Sequence, residues 1–381
     1  MEEIKTKKNE ENKLINYNFQ IGLLNIGNTC FMNSSLQNLI NIEPLNNFFL
    51  MNNSEYYQKS KNIDNTLGSN GEVSDSYLDF LKLIYEKNNN KTKENYIEPQ
   101  ELAYSIYQNN PLYNMISQRD AYEFLLYFID ILHEDVNLIK KKVHIDYENI
   151  PQYNNDEKDF QISWDIFKKN NNSFLVNLFY GMTKAKMTCQ ECLINKKNTE
   201  INIYEPYSIL SLSLYKQDNL IKGSDLSIYD LIKNFEDDEI LEGEESYPCS
   251  TCNKKTKQIR KNMIYSLPNY LIIHIERTVN GEKLKHMIDF PLNNFELKNY
   301  VLKKEDQDNK YDLIGLINHY GSSGNGGHYI AFCKKNDKWF QFNDNDVSEF
   351  DSQKLISENA YCLFYRKNNL KNEELFNQFF N

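Results

Sequence analysis

Nothing in this 381-residue chain is long and apolar enough to cross a membrane: the run Phe124 to Leu132 is about half of the roughly 20 residues that a spanning helix needs. The N-terminal MEEIKTKKNEENK carries charge where a secretory signal would carry an apolar core. Basic residues are not in excess either. With 43 Lys and Arg against 54 Asp and Glu, the net charge is -11, and the clustered positive surface that binds nucleic acid is missing. Cysteine is scarce and odd in number. Of the seven, four form two Cys-x-x-Cys pairs, which argues against a disulfide framework and for a metal site in a reducing compartment. These absences predict a cytoplasmic or nuclear protein with neither membrane nor nucleic-acid partners. Core material, in contrast, is plentiful: 40% of residues are hydrophobic, with 27 Tyr and 22 Phe. The length fits one multi-lobed domain or two small ones.

The chain is organised around Gly22-Leu-Leu-Asn-Ile-Gly-Asn-Thr-Cys-Phe-Met-Asn-Ser-Ser-Leu-Gln37. Met32, Leu36, Leu39 and Ile40 recur at helical spacing after Cys30, so a helix with one buried face is expected, ending before Pro44. Asn28 is placed as its N-cap. Cys30 then falls in the first turn, where free amides and the helix dipole favour the thiolate. A lone cysteine there would read as an inert core thiol. The polar run Asn25, Asn28, Thr29, Asn33, Ser34, Ser35 and Gln37 does not suit core filling, and it offers donors for an oxyanion.

Further along, Asn52 to Ser76 reads as a surface loop, and the Asn tracts at 88–90 and 170–172 as lengthened loops without a role. Ser117-Gln-Arg-Asp-Ala-Tyr-Glu-Phe-Leu-Leu126 opens a second helix, with Ser117 and Asp120 in capping-box-like spacing and Ala121, Phe124, Leu125, Phe128 and Leu132 as its apolar stripe. From Phe179 short alternating stretches predict antiparallel strands. Within them lie Cys189-Gln-Glu-Cys192 and Cys249-Ser-Thr-Cys252, which together can offer four thiolates to one structural zinc; reduced thiols or a redox pair are the alternative. Cys333 and Cys362 read as core thiols, and His274, on the alternating strand Tyr270 to Arg277, as a structural histidine.

The Gly-rich loop Gly321-Ser-Ser-Gly-Asn-Gly-Gly-His-Tyr-Ile-Ala331 leads directly into a strand. Such a loop lets backbone approach an extended substrate closely, which makes Gly326, Gly327 and Tyr329 candidate contacts and sets His328 beside them. A Cys-His pair works because imidazole accepts the thiol proton and later protonates the departing amine. A third group must fix the ring. Trp339-Phe-Gln-Phe-Asn-Asp-Asn-Asp-Val347 supplies Asn343 or Asp344, and strand alternation lets only one of them face His328 unless a turn intervenes.

GLLNIGNTCFMNSSLQ resembles the Cys box of the ubiquitin-specific proteases, and the likeness continues in family order from about Phe19 to Arg366. Gln118-Arg119-Asp120 is similar to that family's Gln-Gln-Asp box, with Arg119 in place of the second Gln. Glu276 and Thr278 likewise depart from the family's Lys and Phe. Phe290-Pro291-Leu292 and Ala360-Tyr-Cys-Leu-Phe-Tyr-Arg366 match later family strands.

The resemblance implies an α+β, papain-like cysteine protease with a helical thumb, a β-rich palm and zinc-ribbon fingers. It implies 19–367 as the catalytic domain with fingers near 180–265, while composition makes residues 1–18 a polar, mobile arm and 368–381 a short polar and aromatic tail of no assigned use. It also implies Cys30 as nucleophile, His328 rather than His319 as base, Asn343 as the orienting residue with Asp344 its rival, and Asn25 as oxyanion donor. Gln118 and Asp120 fall on the substrate side, although Asp120 alone could equally be a helix cap. One zinc on Cys189, Cys192, Cys249 and Cys252 is expected, with no catalytic cofactor. The partners implied are ubiquitin and its conjugates, with an activating partner unidentified. An inactive ubiquitin-binding scaffold and a protease for a ubiquitin-like modifier are the rival readings.

Overall fold

Helical spacing between Cys30 and Asp135 builds one mainly helical lobe, and the alternating stretches beyond Gly181 build two larger sheets and several two-stranded ones. The computed structural model describes residues 19–90, 95–145, 150–151, 153–195, 200–216, 219–220, 226–249, 251–279, 281–323 and 326–380. The arm expected at 1–18, and 324–325 of the Gly-rich loop, lie outside the described residues.

The lobe consists of α1 (Cys30–Ile40), α2 (Glu43–Ser60), α3 (Glu72–Asn90), α4 (Gln100–Asn109) and α5 (Ala121–Asp135). Helix α1 ends at Ile40 as its pattern predicts, and Pro44 sits in the first turn of α2, where its missing N–H costs nothing. Every residue of α1 is buried, not one face only. Its polar side chains survive there by bonding to backbone: Ser35 Oγ donates to Phe31 O (2.7 Å) and Gln37 Nε2 to Ile21 O (2.8 Å). Phe31 meets Phe124 of α5 edge-on at 5.4 Å, which joins the two helices.

The Asn tract at 88–90 is not a lengthened loop but the last turn of α3. Three further local expectations fail, each because tertiary packing overrides composition. The loop expected over 52–76 shrinks to 61–71, since α2 and α3 bury Tyr57 and Val73, and Tyr57 Oη donates to Asp75 Oδ1 at 2.6 Å. Its asparagines are fasteners: Asn62 Nδ2 donates to Asn137 O (2.7 Å) and Asn65 Nδ2 to Glu134 O (3.0 Å). The tract at 170–172 has a role as well, for Asn170 Nδ2 donates to Val143 O (2.9 Å) and Asn172 N to Asn137 Oδ1 (3.0 Å). Finally, α5 starts at Ala121 without a Ser117 capping box. Asp120 is the cap, its Oδ1 accepting from Tyr122 N (2.8 Å) and Glu123 N (3.0 Å).

The sheets comprise β1 (Gly181–Cys189), β2 (Glu200–Tyr207), β3 (Ile209–Ser213), β4 (Asp238–Leu241), β5 (Gln258–Ser266), β6 (Tyr270–Glu276), β7 (Lys310–Ser323), β8 (Gly326–Lys335), β9 (Lys338–Asn343), β10 (Asp346–Phe350) and β11 (Ala360–Lys367). A four-stranded antiparallel sheet has the order β2-β1-β5-β4. The main sheet has the order β10-β9-β8-β7-β11-β6-β3, in which only the β6–β3 pair is parallel. Helix α1 lies across β8 and β7. The approach is close enough to require Gly315: a Cβ there would stand 2.1 Å from Asn38 Oδ1. Cys333 and Cys362 are fully buried in this sheet, as expected of core thiols. The last residues form a helix, Asn372–Phe380, whose Phe376 packs on Phe174 (4.8 Å) and Phe380 on Tyr56 (4.5 Å).

Candidate active site

The loop before α1 is shaped by one side chain. Asn25 Oδ1 accepts from Gly27 N (3.2 Å), Thr29 N (3.1 Å) and Thr29 Oγ1 (3.2 Å), folding the chain so that Cys30 becomes the first helical residue. The capping position is Thr29, which makes no side-chain cap bond, and not Asn28. Asn28 is used elsewhere: its N–H donates to Met115 O (2.8 Å) and its carboxamide to Ile116 O. Gly27, with φ +151°, lets that strap lie flat, since a Cβ would sit 2.1 Å from Met115 O. Cys30 is 4% exposed, at the helix end where amides lack intrahelical partners.

His328 comes from β8 and meets Cys30 across the seam between lobe and sheet. Hydrogen bonding to Cys30 raises its pKa to about 9 against the opposing effect of burial, with Asn343 and the charges of Cys30 and Asp344 adding to the rise. Its Nε2 lies 2.6 Å from Asn343 Oδ1, which leaves Nδ1 for the sulfur. Asp344 is farther from the ring, at 4.0 Å. Asn343 ends β9 and pairs with Asp346 across a two-residue turn in which Asp344 has φ +53°. That turn is why both neighbours face the same region. Asp344 accepts from Asn25 Nδ2 on Oδ2 (2.9 Å) and from Asn33 Nδ2 on Oδ1 (2.8 Å), so it ties the nucleophile loop and α1 to β9. His319 stacks on Tyr329 at 4.3 Å, and burial and then Lys283 lower its pKa to about 4. It is a wall residue.

A cleft of about 520 Å³ separates the lobe from the main sheet, and Gln118, Asp120, Gly326, Gly327 and Tyr329 all line it. The structure thus brings together every residue that the sequence placed on the substrate side. Asp120 is more constrained than a free contact would be. Besides capping α5, its Oδ2 accepts from Tyr329 Oη (3.3 Å) and from Tyr361 Oη. Sequence reasoning missed Tyr361 and the Asn33–Asp344 bond. Asn33 left a trace, because an asparagine inside an apolar helix needs a partner. His274, also on the cleft wall, is a buried histidine bonded through Nδ1 to Ser211 Oγ (2.8 Å), as a structural residue should be.

At the far end of the four-stranded sheet, Cys189 closes β1, Cys192 follows in the short helix Gln190–Ile194, and Cys249 and Cys252 belong to the hairpin of Tyr247–Cys249 with Lys254–Thr256. Their sulfurs lie within 4.8 Å of one another, with separations of 3.9 Å (Cys189–Cys252), 3.8 Å (Cys192–Cys249) and 3.1 Å (Cys192–Cys252). Tetrahedral thiolate ligation at about 2.3 Å implies sulfur–sulfur edges of about 3.8 Å, so the donor set fits one metal ion.

A thiol at a helix N-terminus, an imidazole facing it and a carboxamide behind that imidazole are the parts of a papain-like cysteine hydrolase. Residues 21–365 match the family model described as "Ubiquitin carboxyl-terminal hydrolase", and the chain belongs to this family. It is 29% identical over 352 residues to ubiquitin carboxyl-terminal hydrolase 2 of Homo sapiens, covering 90% of this chain and 54% of the relative. It is 31% identical over 352 residues to Usp2 of Drosophila melanogaster, covering 91% and 34%. The chain therefore spans about half of the human relative's length and a third of the fly's. Among solved structures it resembles a chain of the SAGA DUB module Ubp8/Sgf11/Sus1/Sgf73 bound to monoubiquitin, with a TM-score of 0.68 at 24% identity over 97% of this chain and 75% of that one. That likeness confirms the α+β fold.

Proposed function

We propose that this chain is a thiol-dependent deubiquitinating hydrolase that cleaves the peptide or isopeptide bond after the C-terminal glycine of ubiquitin. The observation that carries this reading is the line of Cys30, His328 and Asn343, with the imidazole 2.6 Å from the carboxamide, beside a cleft walled by Gln118, Asp120 and Tyr329. In acylation the Cys30 sulfur attacks the glycine carbonyl, the carbonyl π pair moves to oxygen, and the oxyanion forms. Asn25 Nδ2 has one hydrogen on Asp344 and a second left for that oxyanion, where losing a donor costs about a hundredfold or more. Collapse breaks the carbon–nitrogen bond, and the amine leaves with the proton that His328 took from the thiol. His328 then deprotonates water, which hydrolyses the thioester and restores Cys30. Asn343 holds the ring throughout by its carboxamide.

We assign one structural zinc to Cys189, Cys192, Cys249 and Cys252. Four thiolates close the coordination sphere and leave no position for substrate, so the ion's contribution is to fold the tip of the four-stranded sheet. The relatives' names and the monoubiquitin in the similar structure support ubiquitin as the partner.

The test is labelling by ubiquitin with a C-terminal electrophile. The wild type is expected to be labelled and Cys30→Ala not. Binding without labelling would favour an inactive scaffold, and labelling only by another modifier would favour a ubiquitin-like substrate.

A further inference from the structure

The Cys30 thiol lies beyond the residues that line the cleft. Neither Cys30 nor His328 lines the cleft, and at its border stands a bridge between the two walls. Gln118 Nε2 donates to the Gly327 carbonyl at 3.1 Å, and Gly327 N donates to Gln118 Oε1 at 3.1 Å. Gln118 precedes α5 on the helical side, and Gly327 immediately precedes His328 on the sheet side.

The register explains why Gly327 has both groups to offer. His319 faces Tyr329 across β7 and β8, yet His319 N donates to Asn359 O, away from β8. Tyr329 and, two residues earlier, Gly327 therefore turn their backbone groups to the opposite edge. Strand β9 covers that edge only from Ala331, which faces Phe342. An open edge accepts any group that presents a donor and an acceptor side by side, as a peptide bond does. The carboxamide of Gln118 presents the same pair and supplies one extra rung where β9 stops.

We infer that Gln118 gates the cleft: its carboxamide occupies the strand edge at Gly327 in the free protein and is exchanged for a peptide group of the extended tail when substrate enters. The inference rests on the deubiquitinase reading. Two hydrogen bonds break and two form, so exchange is nearly neutral for a peptide backbone and unfavourable for an occupant that lacks either group. Gln118 is thus a specificity residue for backbone, acting before chemistry. A tail whose competent form must wait for an opening binds in proportion to the open fraction.

The experiment compares two second-order rates at Cys30 in full-length wild type and Gln118→Ala: labelling by the ubiquitin electrophile and alkylation by iodoacetamide. The ratio of the first to the second is expected to rise about fivefold in Gln118→Ala, as expected for the loss of a pair of hydrogen bonds that is modest in net terms. The Gly327 amide should exchange slowly in wild type, faster in Gln118→Ala, and slowly again in both once labelled. A fall in that ratio would mean that Gln118 holds the bound tail and would overturn the gate. A parallel fall in both rates would make the bridge a support for His328, which also overturns it. If iodoacetamide alkylates wild-type Cys30 but the ubiquitin electrophile does not, the deubiquitinase reading itself fails, and the gate with it.

Discussion

The seam between lobe and main sheet and the tip of the four-stranded sheet both hold polar atoms in fixed places, by opposite means. At the seam, partners come from far along the chain: Asp344 binds Asn25 and Asn33, and Asp120 binds Tyr329 and Tyr361. A continuous core that includes Phe31, Phe124, Tyr329 and Tyr361 stands behind them. At the tip, the apolar cluster is little more than Cys189, Cys192 and Cys249 with Cys252 beside them, while Leu193 and Ile194 are 56% and 76% exposed. Packing preorganises the first site, whereas the second has little apolar packing among the described residues and offers four sulfurs that could hold a metal ion instead. The lesson is that the two sites rest on separate supports and can be lost separately.

The largest effect expected is at the seam. Asn343→Ala should lower kcat/KM for a fluorogenic ubiquitin substrate about a hundredfold or more, because a misoriented base forfeits proton transfer. Asp344→Ala should cost less, in keeping with 4.0 Å against 2.6 Å from the ring. The reverse ranking would move the orienting role to Asp344.

The second prediction separates the two regions. Chelation, or Cys192→Ser, should slow ubiquitin-probe labelling about tenfold through loss of the tip, while iodoacetamide alkylation of Cys30 changes less than about twofold. Elemental analysis of purified protein should find one zinc per chain. Equal losses in both rates would show that the tip supports the seam after all.

The smallest effect is the pH response. The folded pKa of His328 is raised to about 9, chiefly by its hydrogen bond to Cys30, above the ordinary 6.5. Its stabilising contribution is therefore fully present below pH 6.5 and is lost as pH rises through 9. The side chain is 40% exposed, so screening keeps this contribution small, and Tm should fall only slightly more between pH 6 and 10 in wild type than in His328→Ala. The alkaline limb of kcat/KM should lie near pH 9. A limb below pH 7 would mean that the pair is not charged in the free enzyme.

The juxtaposition of Cys30 with His328 and the cluster of four cysteines were legible in the sequence because each sits in a local pattern whose chemistry depends on near neighbours. The helices α1 and α5 were legible because their apolar spacing is strong. Their caps were legible only in part, Asp120 having been an open alternative as the cap of α5. Thr29 replaces Asn28, and Asp120 acts without Ser117, because the chain's path before each helix is set by Met115, Ile116 and the tyrosines of β8 and β11. The segment 52–76 was misread for a related reason: asparagine and serine resemble loop residues until burial recruits them as backbone partners, as at Asn62 and Asn65. The Gln118–Gly327 bridge spans 209 positions, and no local pattern announces such a contact.

The knot at Asp344 also sets a timetable. During synthesis Cys30 emerges early, but the carboxylate that anchors Asn25 and Asn33, and the histidine that faces the sulfur, come more than three-quarters of the way along the chain. Until the ribosome has passed that point, the growing polypeptide exposes a thiol with no base and a loop with no anchor. Pairing of the thiol with its imidazole is thus postponed by the order of translation.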